Sequence, residues 1–95
     1  ADERDSNHQI RQISPNTIEC DGRTEVVILN DVFGLEIPTG DYETIAGYLL
    51  DLEKTLPTIG TQVETAFLYL IVANADARTI RQIRIRKKSG QIQKQ

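Results

Sequence analysis

The residues able to do chemistry in this 95-residue chain are few and widely spaced. Two carboxylate pairs come first, Asp41 with Glu43 and Asp51 with Glu53. General acid–base work would need such a pair to converge on one substrate atom. Residues two apart on a helix point to different faces, so neither pair makes a dyad. Asp41 reads more simply as a helix cap, and Glu43 as a first-turn partner of the helix dipole. Cys20 is the only cysteine and His8 the only histidine. A thiolate nucleophile needs a nearby base, and His8 lies in the polar leader, so Cys20 reads as a small buried hydrophobe. One cysteine and one histidine supply neither a disulfide framework nor a zinc ligand set. Gly22, Gly34, Gly40, Gly47 and Gly60 occur singly, without the spacing of a phosphate-binding loop. No catalytic or metal residues are expected, and no cofactor-binding residue is assigned.

The other chemical feature is charge. The net charge of −3 hides a polarised chain: residues 1–77 carry all 14 acidic residues and four basic ones, a balance of −10, while residues 78–95 carry seven basic residues and no acid. Arg78, Arg81, Arg84, Arg86, Lys87 and Lys88 are numerous enough to meet phosphates. No aromatic is interleaved with them, and the rest of the chain is acidic, so nucleic acid is not the expected partner. The simpler expectation is the solvated face of an amphipathic strand, pairing with carboxylates of this or a neighbouring module.

These residues must be positioned by one modest domain, since the chain is long enough for a single core. A hydrophobic share of 39% and a charged share of 26% belong to a soluble globular protein, and no apolar run approaches a membrane span. The chain has no methionine, and its polar start "ADERDSNHQI" is not a signal peptide. Both suggest a segment of a longer polypeptide. A single cysteine favours a cytosolic setting.

The elements follow from pattern. Residues 1–8 read as a linker, 9–88 as the domain and 89–95 as a flexible tail. Ile10–Ile13 and Thr17–Cys20 are β-type runs around the turn "SPN", a hairpin. "TEVVILNDVFG" reads as a helix, with Thr24 as N-cap, Val27, Leu29, Val32 and Phe33 facing inward, and Gly34 past its end. A second helix opens at Asp41, buries Ile45, Leu49, Leu52 and Leu56 with Ala46 and Leu50 beside them, and is closed by Pro57. Its interior Gly47 costs about 1 kcal/mol relative to alanine, so close approach of the helix to its neighbour is expected there. Thr61–Thr65, Phe67–Ala73 and Thr79–Arg86 read as strands, the last two joined through "NADAR". On "FLYLIVA", Leu68, Leu70 and Val72 make one face and Phe67, Tyr69 and Ile71 the other. The second face is expected to be covered by the chain's own hairpin, with a homodimer contact as the alternative. The order β-β-α-α-β-β-β predicts an α+β fold, two helices on an antiparallel sheet.

The stretches "DERD" at 2–5, "CDGRT" at 20–24, "LNDVFGLEIP" at 29–38, "DYETIAGYLL" at 41–50, "LPTIG" at 56–60 and "RTIRQIRIR" at 78–86 resemble, in order and spacing, the CorC/HlyC transporter-associated domain. That module is the C-terminal part of hemolysin-like and magnesium/cobalt efflux membrane proteins. The resemblance covers residues 2–88, and Asp21, Gly22, Asp41, Glu43, Thr44, Gly47, Pro57 and Gly60 carry its structural signature. It implies a cytoplasmic-side position behind a membrane domain and a pair of CBS domains, and a role in modulating ion transport. It also implies a fold like the flavin-binding domain of PCMH-type oxidases, with FAD as the cofactor to consider. Two functions follow: a non-catalytic regulatory or interaction domain of a membrane ion transporter, or a small-ligand sensor binding FAD or an adenine nucleotide.

Overall fold

A computed structural model describes residues 10–88; the expected linker and tail lie outside them. Seven elements follow one another: β1 (Arg11–Ser14), β2 (Thr17–Asp21), α1 (Val26–Phe33), α2 (Ile45–Glu53), β3 (Gln62–Glu64), β4 (Leu68–Ala75) and β5 (Ile80–Lys87). The strands form one antiparallel sheet in the order β1-β2-β5-β4-β3, with both helices on one face. The α+β architecture and element order are those expected. β5 lies at the centre, so the first hairpin and the last three strands meet along it.

The core forms where the helices cover the sheet. Leu68, Leu70 and Val72 of β4, Ile83 and Ile85 of β5, and Ile18 and Cys20 of β2 pack beneath Leu29, Ile45 and Leu49. Strand alternation puts these residues on one face, as the sequence pattern demands. Tyr69 and Ile71 on the opposite face are only half-buried, and Phe67 is 59% exposed. The expected coverage of that face by a hairpin is therefore incorrect: all four other strands lie within the same sheet as β4. Cross-strand register instead lines it with long polar side chains, Arg86 opposite Tyr69 and Arg84 opposite Ile71.

Both helices differ from their expected phase. α1 begins after Glu25, which offers no side-chain cap, and Thr24 is buried rather than capping. The inward positions are then Val26, Leu29 and Phe33, one helical face at i, i+3, i+7, while Val27 is 65% exposed. Gly34 ends α1 at φ 63°, where a Cβ would be strained. α2 is capped by Thr44, whose hydroxyl accepts from the Gly47 N–H at 3.1 Å; Asp41 is exposed and lies before the helix. Its other end comes early. Lys54 turns left-handed at φ 69° and its N–H donates to the Leu50 carbonyl, three residues ahead of Pro57. Leu50 and Leu52 are consequently exposed, and the buried residues of α2 are Ile45, Tyr48 and Leu49.

Candidate functional site

The two most distinctive stretches of the sequence, "CDGRT" and "DYETIAG", come together at one junction. Glu25 and Thr44 form an isolated antiparallel bridge between the starts of the helices. Across it the Val26 N–H donates to the Glu43 carbonyl and the Ile45 N–H to the Thr24 carbonyl, both at 2.9 Å. The Ala46 N–H donates to the Gly22 carbonyl at 2.9 Å, and the Gly22 N–H donates to the Arg81 carbonyl of β5 at 2.9 Å. Helix starts carry N–H groups without intrahelical partners, and here those of one helix are satisfied by the loop leading into the other. Gly22 makes the crossing possible. A Cβ there would lie 2.3 Å from the Ile80 carbonyl oxygen and 3.2 Å from the Ala46 Cβ.

The remaining signature residues are divided between this junction and the periphery. Asp21 closes the turn, its carboxylate accepting from the Arg23 N–H at 2.8 Å. Glu43 and Thr44 sit in the strap itself. Gly47 lies one turn on, but what its Cβ would meet is Tyr42 Cβ at 3.0 Å and Thr44 Oγ1 at 3.3 Å, in the segment entering its own helix. The expected close approach of the helix to its neighbour is thus corrected: what crowds Gly47 is the chain entering its own helix. Pro57 is buried beyond the helix end, and Gly60 turns the chain at φ 92° while donating to the Val72 carbonyl.

Beside the junction is a cleft of about 440 Å³ lined by Glu25, Val26, Val27, Asn30, Thr39, Tyr42 and Glu43. Its polar groups are two carboxylates, an amide, a hydroxyl and a phenol. The Asn30 amide is already occupied, donating to the Ile37 carbonyl and accepting from the Ile37 N–H at 2.8 Å each. The Tyr42 hydroxyl donates to the Pro38 carbonyl. A pyrophosphate needs cations or a cradle of free N–H groups. This cleft offers two carboxylates and no cation, so its residues do not fit the pyrophosphate of FAD or a nucleotide. No group of three His, Cys, Asp or Glu among the described residues is placed to hold a metal ion. Cys20 is buried, and burial pushes its thiol up to about 12, with the Thr24 side chain opposing in part. A thiol in that state is a poor nucleophile.

The open face of the sheet has its own polar order. Glu19, buried on β2, accepts from Arg84 at 3.2 Å and from Arg11 at 3.4 Å. Lys88 pairs with Glu64 and lies 5.2 Å from the Tyr69 ring centroid. Arg81 pairs with Asp76 at 2.8 Å, and the Arg78 N–H, the Arg81 side chain and the Thr79 N–H hold the Asp76 carboxyl below its usual range. Several cations of the basic segment therefore do pair with this module's own carboxylates.

Residues 11–89 match the family model CorC_HlyC, the transporter associated domain. The chain belongs to this family. Among its relatives is hemolysin C of Rickettsia prowazekii, 31% identical over 81 residues, which cover 82% of this chain and 27% of that protein. A hemolysin C homolog of Rickettsia massiliae is 28% identical over 92 residues, 94% of this chain and 31% of the relative. The chain thus spans about a third of the length of the curated relatives it matches. Among solved structures, a region associated with a proposed Mg2+ and Co2+ transporter (CorC) of Neisseria meningitidis has a TM-score of 0.76 at 27% identity, covering 82% of this chain and 96% of that one. A hemolysin domain of Enterococcus faecalis, at 23% identity, shares the fold with a TM-score of 0.76 over 84% of this chain and 98% of its own.

In this transporter associated domain Asp21, Gly22, Glu43 and Thr44 build the junction, and Asp41, Pro57 and Gly60 lie outside it. Sequence reasoning missed the tie from Asn30 to Ile37 and the burial of Glu19. Each left a signal: a polar residue beside buried Leu29 and Phe33, and an acid inside a strand of otherwise buried residues.

Proposed function

We propose that this domain is a non-catalytic regulatory or interaction module of a hemolysin-like membrane ion transporter of the Mg/Co type, held on the cytoplasmic side of the membrane. The observation that carries the reading is the family match over nearly all of a chain that is only about a third as long as its relatives. A module of that kind needs a rigid body and a surface, not a reaction centre. The Neisseria relative's name supplies the transport setting. In the described domain no helix is long and apolar enough to cross a membrane, and the reading assigns spanning to a membrane domain elsewhere in a parent chain.

The test is fractionation of the parent protein followed by deletion of this module. The parent is expected in the membrane fraction, with Mg2+ or Co2+ flux altered when residues 11–88 are removed. A parent found only in the soluble fraction overturns the transporter reading. Titration of the 95-residue chain with FAD is expected to leave flavin absorbance and heat flow unchanged; saturable binding would restore the sensor reading.

A further inference from the structure

The basic segment is not exhausted by its internal ion pairs. At one end of the sheet, β5 and the start of β4 bring its last cations beside an exposed aromatic. Lys87 is opposite Leu68 and Arg86 opposite Tyr69, and the Lys88 N–H donates to the Phe67 carbonyl at 3.0 Å. Phe67 is 59% exposed and shares a hollow of about 200 Å³ with Lys87, Lys88 and Glu36. Arg84 and Arg86 continue along the same strand, and Arg11 joins Arg84 at Glu19. On the open face four cations (Arg11, Arg84, Arg86, Lys88) stand against Glu19 and Glu64, the Asp21 carboxylate of that face being paired with Arg23, while Lys87 lies on the helix side of β5 and donates to the Gly34 carbonyl at 3.5 Å. Glu19 is shared by two arginines and Glu64 is taken by Lys88. Arg86 has no carboxylate partner among the described residues. The surplus is therefore positive on a face whose chain is acidic overall.

We propose that this face, with Phe67 at its rim, docks on an anionic phospholipid surface. The inference rests on the transporter reading, which places the domain near a bilayer. Three observations select a bilayer from other occupants. A second copy meeting the same face across a two-fold axis would set the positive surplus against itself. A sheet face offers several headgroups a contact at once, where a bound peptide strand would need a free edge, and β5 is central. An exposed aromatic at the border of a basic patch matches the headgroup boundary, where amphipathic rings partition while lysine and arginine attract acidic lipid. The acidic helical layer lies on the opposite side of the sheet and faces away from the membrane in this orientation.

The experiment is co-sedimentation of the 95-residue chain with vesicles of phosphatidylcholine, alone and mixed with phosphatidylglycerol, at ~0.1 M and ~0.5 M salt. Binding is expected only to the mixed vesicles and only at the lower salt. Each basic residue near the surface contributes about fivefold in partitioning, so the charge reversal Arg86→Glu is expected to lower it by at least that factor. Phe67→Ser is expected to lower it too. Arg78→Glu makes the same charge change in the turn before β5, remote from Phe67, and is expected to have less effect. Thermal melts of all three variants confirm that they are folded. No binding to mixed vesicles, or equal loss from Arg78→Glu and Arg86→Glu, overturns the proposal. Binding to a soluble oligoglutamate peptide without binding to vesicles overturns it in favour of an acidic protein partner. If the parent is membrane-embedded and vesicle binding fails, only this surface is refuted; a soluble parent refutes the transporter reading regardless.

Discussion

The two ends of α2 carry similar sequence and meet different fates. At its start, Ile45 and Ala46 donate their N–H groups to Thr24 and Gly22, Thr44 caps the first turn, and Ile45, Tyr48 and Leu49 are buried. At its end, Lys54 turns the chain left-handed, and Leu50, Leu52 and Ile59 are 37%, 38% and 60% exposed. Apolar spacing alone does not distinguish these ends. What differs is whether a second segment supplies carbonyls that fix the helix against the sheet. The start is fastened to both α1 and β5, so its apolar residues are carried into the core; the end has no such fastening.

Substitutions that separate the ends follow from that contrast. The largest effect belongs to Gly22→Ala, which forces a Cβ to within 2.3 Å of a backbone oxygen that cannot rotate away. It is expected to cost at least ~3 kcal/mol or to abolish folding, read as the midpoint of urea unfolding. Next, truncating Leu49, fully buried, is expected to cost about 3 kcal/mol, whereas Leu52→Ala at the free end should cost under about 1 kcal/mol. Equal losses would erase the distinction between the ends. Thr44→Ala removes the cap and is expected to cost about 1 kcal/mol, while Asp41→Ala stays within ~0.5 kcal/mol. Reversal of that order would return the cap to Asp41.

Gly47→Ala sets a helix-propensity gain of about 1 kcal/mol against a 3.0 Å contact with Tyr42, so melting should move little. Gly47→Leu should be worse, because its larger side chain must displace Tyr42. The smallest effect near neutral pH concerns Cys20. Its thiol ionises near 9.0 ordinarily and at about 12 when folded, so its contribution to stability is complete below about 9 and is lost as pH rises toward 12. Cys20→Ala should flatten stability in that alkaline window, and native Cys20 should resist thiol reagents near pH 8.

Much of the architecture was readable because strand alternation, the "SPN" turn and Gly34 are local signals with local causes. The caps were less readable. Asp41 and Thr44 are both good capping residues, and the choice between them was made by the bridge to Glu25, a partner 19 positions away in sequence. Thr24 lost its expected role for the same reason, since its carbonyl was recruited by Ile45. Gly47 drew attention as an interior helix glycine, yet Gly22 is the position where backbone approaches backbone. That property depends on β5, which the chain reaches almost 60 residues later. The open sheet face and its arginine cluster emerged only from register.

Native-state hydrogen exchange tests the central claim that the stretches "CDGRT" and "DYETIAG" form one structural junction. The amides of Gly22, Val26, Ile45 and Ala46 are predicted to exchange only through global unfolding, with one shared opening free energy, while the Lys54 amide opens locally and faster. If the four junction amides exchange independently, or as readily as Lys54, the junction does not hold the helices to the sheet.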